Sequence, residues 1–297
     1  MPVIGDQVGL TLDRIVLATD FSPMAVKAAG YAKGLAKHFS SSLSIASVVD
    51  LSVSTLSEEA VVGLPVDRIR HISAENQESL LCDMSVAGVR ASSYTMESHD
   101  PAADLVAYAG GLRADLIVTG TNGRHGLSKA ILGSCSEGII RHAHCPVFTI
   151  GPKAKPAPKG PLSFHTIVFA TDFGSDVAQK AAMAFSFAQE SIAKIYLYHV
   201  MKQPGPDITE TLSMRLKFEM ALERLIPEST YDWCAPEVVV EAGEAAPHIL
   251  NLAKKVQADL IVLGARPSAT WFGHLIEGTV GKVLLDAECP VMTVSAG

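Results

Sequence analysis

The sequence predicts an α/β protein built from two tandem copies of one doubly wound domain, each with a five-stranded parallel sheet. Three sequence blocks occur twice in the same order, which indicates that a whole domain has been duplicated. Within each copy, short apolar runs alternate with amphipathic segments, as is typical of βαβ units. We expect the domains at residues 1–151 and 164–297, joined by a proline-rich linker at 152–163.

The duplication rests on blocks that keep their order in both halves of the chain. Matching blocks are offset by 144 to 152 residues, which is too long for the repeats of a solenoid. The pairs are Arg14–Phe21 with Thr166–Phe173, Ala114–Gly120 with Ala258–Gly264, and Cys145–Ile150 with Cys289–Val294. Between the copies, four prolines exclude a continuous helix or a central strand and predict a semi-extended linker.

The elements of the first copy follow from its apolar periodicity. An apolar run at 14–19 predicts a buried strand, and Ser22 with Pro23 then provides a helix N-cap and first helical residue. Helical spacing continues to Phe39. The remaining elements are predicted as strands at 43–49, 89–96, 115–119 and 146–150 and helices at 66–87, 101–111 and 134–143.

The second copy repeats this pattern. Its strands are predicted near 166–171, 194–200, 237–241, 259–263 and 290–294. A helix at 207–226 is amphipathic, and we expect its apolar residues to pack on their own domain rather than to form a partner surface. Those residues are Ile208, Leu212, Leu216, Met220 and Leu225.

The composition excludes several classes of protein. Hydrophobic residues make up 48% of the chain and charged residues 19%, which is ample for two cores, and no apolar run is long enough to predict a membrane span. A net charge of -7 argues against a nucleic-acid partner. The N-terminus has no secretory pattern, and the five cysteines form no CxxC motif, so we expect a cytoplasmic protein.

A glycine-rich loop follows the predicted strand at 115–119. It contains Gly120, Gly123 and Gly133 in the pattern G-x2-G-x9-G, and Ser134, Cys135 and Ser136 come directly after it. Glycines let the backbone approach a ligand closely, and a helix start attracts anions, so the loop predicts a phosphate cradle. It matches neither the P-loop nor the dinucleotide fingerprint. The alternative is that the glycines only form turns and Ser134 only caps a helix.

Asp20 ends the first predicted strand. Ligands of open α/β sheets bind beyond the carboxyl ends of the strands, at the switch point, so Asp20 and the Gly120 loop would share one crevice if the strand order is 3-2-1-4-5. A carboxylate there suits hydrogen bonds to ribose hydroxyls. The alternative is that Asp20 only caps the following helix.

Taken together, these motifs resemble the universal stress protein family. They are Ala-Thr-Asp-Phe-Ser after the first strand, Asp-Leu-Ile-Val-x-Gly, the glycine loop, and Cys-Pro-Val in the last strand. The resemblance covers nearly the whole chain and implies parallel sheets of order 3-2-1-4-5. In the ATP-binding branch of the family it implies that Asp20 contacts ribose, that the backbone near Val48 contacts adenine, and that the loop lines the phosphates. The implied loop contacts are Gly120, Gly123, Gly133, Ser134, Cys135 and Ser136.

The second copy departs from this pattern on its phosphate side. Asp172 and Val200 match the ribose and adenine positions, and Gly264, Gly278 and Thr279 match parts of the loop. Pro267 replaces the second glycine, and Gly278 lies one residue further along than the motif requires. Proline removes an N–H donor, so this copy either binds its ligand in another pose or is a structural partner.

The resemblance implies a stress-response protein that binds ATP or another adenine nucleotide, with or without Mg²⁺, as a regulatory ligand. Hydrolysis, if it occurs, is expected to be slow. The alternatives are a nucleotide-independent interaction protein with an unidentified protein partner and a true enzyme of the wider adenine-nucleotide group. His142 and His144 lack the further ligands of a metal site, and Cys135 is either a small side chain or a low-pKa redox sensor.

The last predicted strand of each copy is expected to pair with another strand. Pro146–Ile150 and Pro290–Val294 are valine-containing sheet edges that need covering. Single-domain universal stress proteins usually pair through their last strands. We therefore expect these strands to pair antiparallel within the chain as a pseudo-two-fold dimer, with or without further homodimerisation.

Overall fold

The computed structural model describes residues 11–51, 66–121, 132–174, 176–203, 205, 207–265 and 278–295. The chain divides into two compact units. The N-terminal unit comprises Thr11–Pro152 with Pro156–Leu162, and the C-terminal unit comprises Lys153–Lys155 with the described residues from Ser163 onward.

The N-terminal unit alternates strands and helices along the chain. Its five strands are all parallel and lie in the order β3-β2-β1-β4-β5, which confirms the expected doubly wound topology. The elements are β1 (Arg14–Thr19), α1 (Pro23–Phe39), β2 (Ser42–Asp50), α2 (Val66–Val86), β3 (Arg90–Ser98), α3 (Pro101–Gly111), β4 (Leu116–Gly120), α4 (Ser134–His142) and β5 (Val147–Ile150).

The C-terminal unit repeats this arrangement with strands in the order β8-β7-β6-β9-β10, again all parallel. A short 3-10 turn at Glu228–Asp232 is an addition that the sequence pattern did not indicate. The elements are β6 (Thr166–Ala170), α5 (Val177–Ser191), β7 (Lys194–Met201), α6 (Ile208–Glu223), β8 (Glu237–Ala242), α7 (Ala245–Lys255), β9 (Leu260–Ala265), α8 (Thr279–Asp286) and β10 (Val291–Ser295).

Burial of the central strands explains their continuous apolar sequence. Leu17 of β1 lies opposite Val118 of β4, and both are fully buried because helices cover the two faces of the sheet. The edge strand β3 is mostly exposed, which is why its apolar pattern is weaker. Ser22 caps α1 as expected, since its hydroxyl accepts from the Ala25 amide at 3.3 Å.

The prediction for α6 is wrong for four of its five apolar residues. Leu225 is buried, but Ile208 is 80% exposed, Leu212 59%, Leu216 57% and Met220 45%. The stripe at four-residue spacing therefore lies on the solvent side of the helix. The helix packs on its unit through the opposite side, where Leu222 is fully buried.

Residues of the predicted semi-extended linker pack on the unit to which each belongs. Leu162 is buried against α1, where a Cβ placed on Gly34 would lie 3.0 Å from the Leu162 Cβ. In the C-terminal unit, Ala154 is buried, and the Lys155 amide donates to the Glu288 carbonyl at 3.0 Å. Across the described ranges, no helix is long and apolar enough to cross a membrane.

Candidate functional site

The topology of the N-terminal unit places its switch point between β1 and β4. β1 pairs with β2 on one side and β4 on the other, so the chain winds away from β1 in opposite directions. The register sets Ala18 opposite Thr119, and Asp20 and Thr121 therefore follow at the same edge of the sheet. This is the switch point at which open α/β sheets bind ligands.

A tight local turn holds Asp20 at this edge. Its Oδ1 accepts from the Ser22 amide at 3.0 Å, and the Phe21 amide donates to the Thr19 hydroxyl at 3.1 Å. Phe21 has a φ of 62°, an uncommon left-handed conformation for a bulky side chain. The half-buried carboxylate is therefore fixed by the Ser22 amide within a turn that the Phe21–Thr19 bond stabilises.

The expected adenine position lies on the neighbouring strand. Val48 comes one residue after Ser47, which is the last β2 residue paired with β1. It lies at the level of Asp20 and is half-buried. The resemblance-based positions for ribose and adenine are thus adjacent along the same sheet edge.

The start of α4 is tied to the end of β4. The Gly133 amide donates to the Thr121 carbonyl at 2.6 Å, and the Ser136 hydroxyl donates to the Gly120 carbonyl at 2.6 Å. Gly133 is the N-cap residue, and within the described residues no side chain caps this helix. The first turn after Gly133 is the end of α4 that attracts anions, whereas the Ser136 hydroxyl is used to position the helix.

The pKa of the Cys135 thiol is raised, whereas a redox-sensing cysteine has a lowered pKa. Burial, together with the nearby Asp20, Asp100 and Asp50 carboxylates, raises the pKa of its thiol to about 11. The thiol is protonated at neutral pH, so the low-pKa hypothesis is wrong. The same three carboxylates place negative charge near this end of the sheet.

Most of the residues expected to contact the phosphates lie at the end of β4 and the start of α4. Gly120 ends β4, Gly133 and the exposed Ser134 begin α4, and Cys135 and Ser136 follow in its first turn. Gly123 falls on residues 122–131, which lie outside the described residues. His142 and His144 are both exposed. Among the described residues, no group of three His, Cys, Asp or Glu side chains is arranged to hold a metal ion.

The C-terminal unit repeats the aspartate turn. Asp172 Oδ1 accepts from the Gly174 amide at 3.1 Å, and Phe173 has a φ of 56°. Val200, at the expected adenine position, is 9% exposed near the end of β7. Gly264 lies near the end of β9.

The helix start that follows the loop differs between the two units. Gly278 is the N-cap of α8, and Thr279 is its exposed first residue. Gly281 stands where the N-terminal unit has Ser136, so the hydroxyl that ties α4 to β4 has no counterpart at this position of α8. Pro267 lies outside the described residues.

Two features of this unit were not anticipated from the sequence. His199, which corresponds to Ser47, lies with its ring centroid 4.2 Å from that of Phe218 and 4.9 Å from that of Phe173. Its Nδ1 is 2.8 Å from the Thr171 carbonyl, and burial lowers its pKa. Lys180 on α5 is only 5% exposed. Neither residue belongs to a motif, so only their placement in the fold reveals them.

Known proteins resemble both halves of the chain. A family model described as the universal stress protein family matches residues 11–151 and 163–295. A universal stress protein of Methanocaldococcus jannaschii is 35% identical over 145 residues, covering 46% of this chain and 81% of that protein. A putative universal stress protein of Staphylococcus aureus is 31% identical over 149 residues, covering 50% of this chain and 89% of that protein.

Solved structures share the fold. The crystal structure of a universal stress protein from Archaeoglobus fulgidus matches with a TM-score of 0.73 at 18% identity and covers 97% of both chains. Because the family model matches each half separately, the protein belongs to the universal stress protein family and carries two such domains in tandem.

Proposed function

We propose that the N-terminal unit binds ATP or a related adenine nucleotide, and that the nucleotide acts as a regulatory ligand in a cytoplasmic stress response. The observation that supports this most strongly is the position of the Asp20 carboxylate beside the uncapped start of α4. The two features lie at the carboxyl ends of β1 and β4, which are neighbouring strands.

The chemistry of these groups fits the parts of a nucleotide. A fixed carboxylate accepts hydrogen bonds from ribose hydroxyls, and free amides at a helix start bind phosphate oxygens. Asp20 provides the carboxylate and the first turn of α4 provides the amides, and the two follow neighbouring strands at one edge of the sheet. Val48 offers backbone groups at the same level for the base.

The acidic surroundings favour a metal-bound triphosphate. Asp20, Asp50 and Asp100 all lie close enough to raise the pKa of Cys135. A free triphosphate would be repelled by these carboxylates, whereas Mg²⁺ reduces its charge. We therefore expect ATP to bind better with Mg²⁺ than in EDTA.

The polar groups next to the proposed phosphate position favour binding over catalysis. The Ser136 hydroxyl is hydrogen-bonded to a backbone carbonyl, and the Cys135 thiol is protonated at neutral pH. Neither is arranged as an activated nucleophile. Hydrolysis of the bound nucleotide is therefore expected to be slow or absent.

The direct test is to identify what the protein carries. The full chain is purified without added nucleotide and denatured, and the released small molecules are analysed by mass spectrometry. An adenine nucleotide at close to one per chain supports the proposal. If none is released, calorimetric titration with Mg-ATP decides, and no binding in that titration rejects the proposal.

A nucleotide-independent interaction protein is the second candidate. The exposed stripe of Ile208, Leu212 and Leu216 on α6 favours it, since apolar residues grouped on a surface are typical of protein contacts. The two candidates differ in the titration above. The interaction protein would show no heat of nucleotide binding.

A further inference from the structure

Three aromatic rings pack together in the C-terminal unit where α6 meets the sheet. The ring centroid of His199 on β7 lies 4.2 Å from that of Phe218 on α6 and 4.9 Å from that of Phe173, which follows β6. The Phe173 and Phe218 rings are stacked with their centroids 5.6 Å apart. His199 is 8% exposed. A titratable ring therefore connects the sheet to a helix with little access to water.

The N-terminal unit has a neutral side chain at the corresponding position. Ser47 stands there in place of His199, and its hydroxyl accepts from Gln77 Nε2 on α2 at 2.9 Å. Ser47 and Gln77 are both buried. Like α6, α2 is the helix that follows the second strand of its unit. This helix is therefore joined to the sheet by a neutral hydrogen bond in one unit and by a histidine in the other.

The α6 helix depends on the ring cluster because it buries little else. Leu222 is the only buried side chain of α6, all of whose residues lie within the described part of the chain. The neighbouring helix α5 has 15 residues and buries six side chains. Phe218 is half-buried and reaches the sheet through its contact with His199. Elements with few buried contacts open locally at low free-energy cost, so this contact governs how firmly α6 is held.

The hydrogen bond of His199 fixes where an added proton goes. Its Nδ1 is 2.8 Å from the Thr171 carbonyl oxygen, which can only accept, so Nδ1 carries the proton of the neutral ring. A second proton must bind Nε2. It places a full charge on a buried ring against Phe173 and Phe218, whose side chains have no oxygen or nitrogen acceptor. The charged ring therefore loses hydration without gaining a matching hydrogen bond.

Two attractions oppose this cost of charging the ring. The Asp172 carboxylate favours the charged form of His199, and the face of a phenylalanine ring attracts a cation. Burial is the largest influence, and it lowers the pKa of His199 below its ordinary value of 6.5 despite Asp172 and the bond to Thr171. The folded C-terminal unit therefore favours the neutral ring.

Charged side chains on the other elements around the ring are placed elsewhere. In β8, Val240 pairs with the histidine, and Glu241 therefore lies on the opposite face of the sheet. On α5, Lys180 lies against β9, which is on the far side of β6 from β7. The charged residues of α6 occupy exposed positions, apart from Glu219, which pairs with Arg215 Nε at 2.8 Å. Among the described residues, Asp172 is the charged group that acts on the ring.

We propose that His199 is an acid-sensitive clamp: its neutral ring holds α6 on the C-terminal unit through Phe218, and protonation of the ring releases the helix. The stabilisation is complete above a pH of about 6.5, the ordinary pKa of histidine, and it is lost progressively as the pH falls below that value. Leu212 and Leu216 already lie on the solvent side of α6. Release adds the Phe218 side of the helix to this accessible apolar surface.

Amide hydrogen exchange of the full chain tests the clamp. Exchange is followed by mass spectrometry at about pH 7.5 and about pH 5.5, and each rate is corrected for the intrinsic exchange rate at that pH. Protection of α6 should be about 10-fold lower at the lower pH, because the released state takes up a proton below the ordinary pKa of 6.5 and the closed state resists it. Protection of α2 is the internal control and should not change in this way, since Ser47 and Gln77 do not titrate.

Three variants separate the ring from its charge. His199→Phe keeps a ring in the cluster but cannot be protonated, so α6 should be equally protected at both pH values. His199→Asn keeps a donor for the Thr171 carbonyl but removes the ring, so α6 should be weakly protected at both. His248→Asn is the matched control, because Nδ1 of His248 also lies 2.8 Å from a backbone carbonyl oxygen, that of Glu244, but its side chain is 33% exposed. It should keep the wild-type pH dependence of α6.

Two results would overturn the clamp. One is wild-type protection of α6 that is equal or greater at the lower pH, as expected if attraction between the charged ring and the phenylalanines outweighs burial. The other is a His199→Phe chain that keeps the wild-type pH dependence. If His199→Phe fails to fold, the same comparison is made with His199→Asn. None of these outcomes depends on nucleotide binding by the N-terminal unit.

Discussion

The Ser136 hydroxyl lies 2.6 Å from the Gly120 carbonyl oxygen and donates to it. This bond joins the first turn of α4 to the last residue of β4 and so fixes the helix start beside Asp20. The corresponding residue of the C-terminal unit is Gly281, which has no hydroxyl. The two units therefore hold this helix in different ways, although their sheets have the same topology.

Ser136→Ala should destabilise the N-terminal unit, because the buried Gly120 carbonyl loses the Ser136 hydroxyl and keeps the more distant Thr119 hydroxyl at 3.2 Å. The expected loss in unfolding free energy is about 0.5–1.5 kcal/mol. Urea unfolding measures it. Ser134→Ala is the control, because Ser134 is exposed on the same turn, and it should change stability by less than about 0.5 kcal/mol. Equal stability of the two variants would contradict a structural role for the Ser136 bond.

Alanine at the two equivalent glycines should have unequal effects. Gly120→Ala places a methyl group against the backbone of α1, which cannot move aside without shifting the helix. We expect a loss of about 1–3 kcal/mol, as for other overpacked sites. In Gly264→Ala the three nearest described atoms all belong to the flexible end of Lys180, so the substitution should cost less than about 1 kcal/mol. Thermal unfolding of both variants measures the two losses. A larger loss in Gly264→Ala than in Gly120→Ala would contradict the packing described for these glycines.

Much of the fold follows from local sequence, and the exceptions have physical causes. The helix predicted at 101–111 has the same bounds as α3. Its start is clear in the sequence because Asp100 is an N-cap residue and Pro101 is the first helical residue. The strand order needed the family resemblance, since periodicity does not encode which strands pair. The Ser136–Gly120 bond joins an i, i+16 pair and Lys180 contacts a distant glycine, so neither could be read from local patterns.

The α6 helix shows where apolar periodicity misleads. Periodicity reveals that a helix has an apolar stripe, but it does not reveal whether that stripe meets the sheet or solvent. On α6 the stripe at Leu212 and Leu216 faces solvent, and Leu222 on another side is the residue that packs.

Two substitutions on α6 test that assignment. Leu216→Ser should change stability by less than about 0.5 kcal/mol, since its side chain is largely exposed. Leu222→Ala should cost about 2–5 kcal/mol, since it leaves a cavity at a fully buried position. Urea unfolding distinguishes them. A large loss in Leu216→Ser would mean that the stripe is covered within the protein.

The raised pKa of Cys135 predicts slow alkylation at neutral pH. The thiolate is the reactive form, and with a pKa of about 11 its population rises only as pH approaches that value. Because folding raises the thiol pKa from its ordinary value of 9.0 to about 11, the stability that the protonated thiol contributes is lost as pH rises from about 9 to 11.

Iodoacetamide labelling followed by mass spectrometry measures this reactivity. The exposed Cys82 is the internal control for reagent access and should label first. Fast labelling of Cys135 at pH 7 would indicate a low-pKa thiol and contradict the electrostatics described above.

The nucleotide site is tested most directly by a matched pair of aspartate variants. Asp20→Asn and Asp172→Asn make the same change in the same type of turn, and asparagine retains the oxygen that accepts from the amide two residues later. Calorimetric titration of Mg-ATP into the wild-type chain should show about one tight site. Asp20→Asn should weaken that site about 10- to 100-fold, the usual loss of a charge-assisted hydrogen bond, whereas Asp172→Asn should leave it unchanged. Wild-type affinity in Asp20→Asn would contradict a nucleotide site in the N-terminal unit, and two equivalent tight sites per chain would contradict the expected difference between the two units.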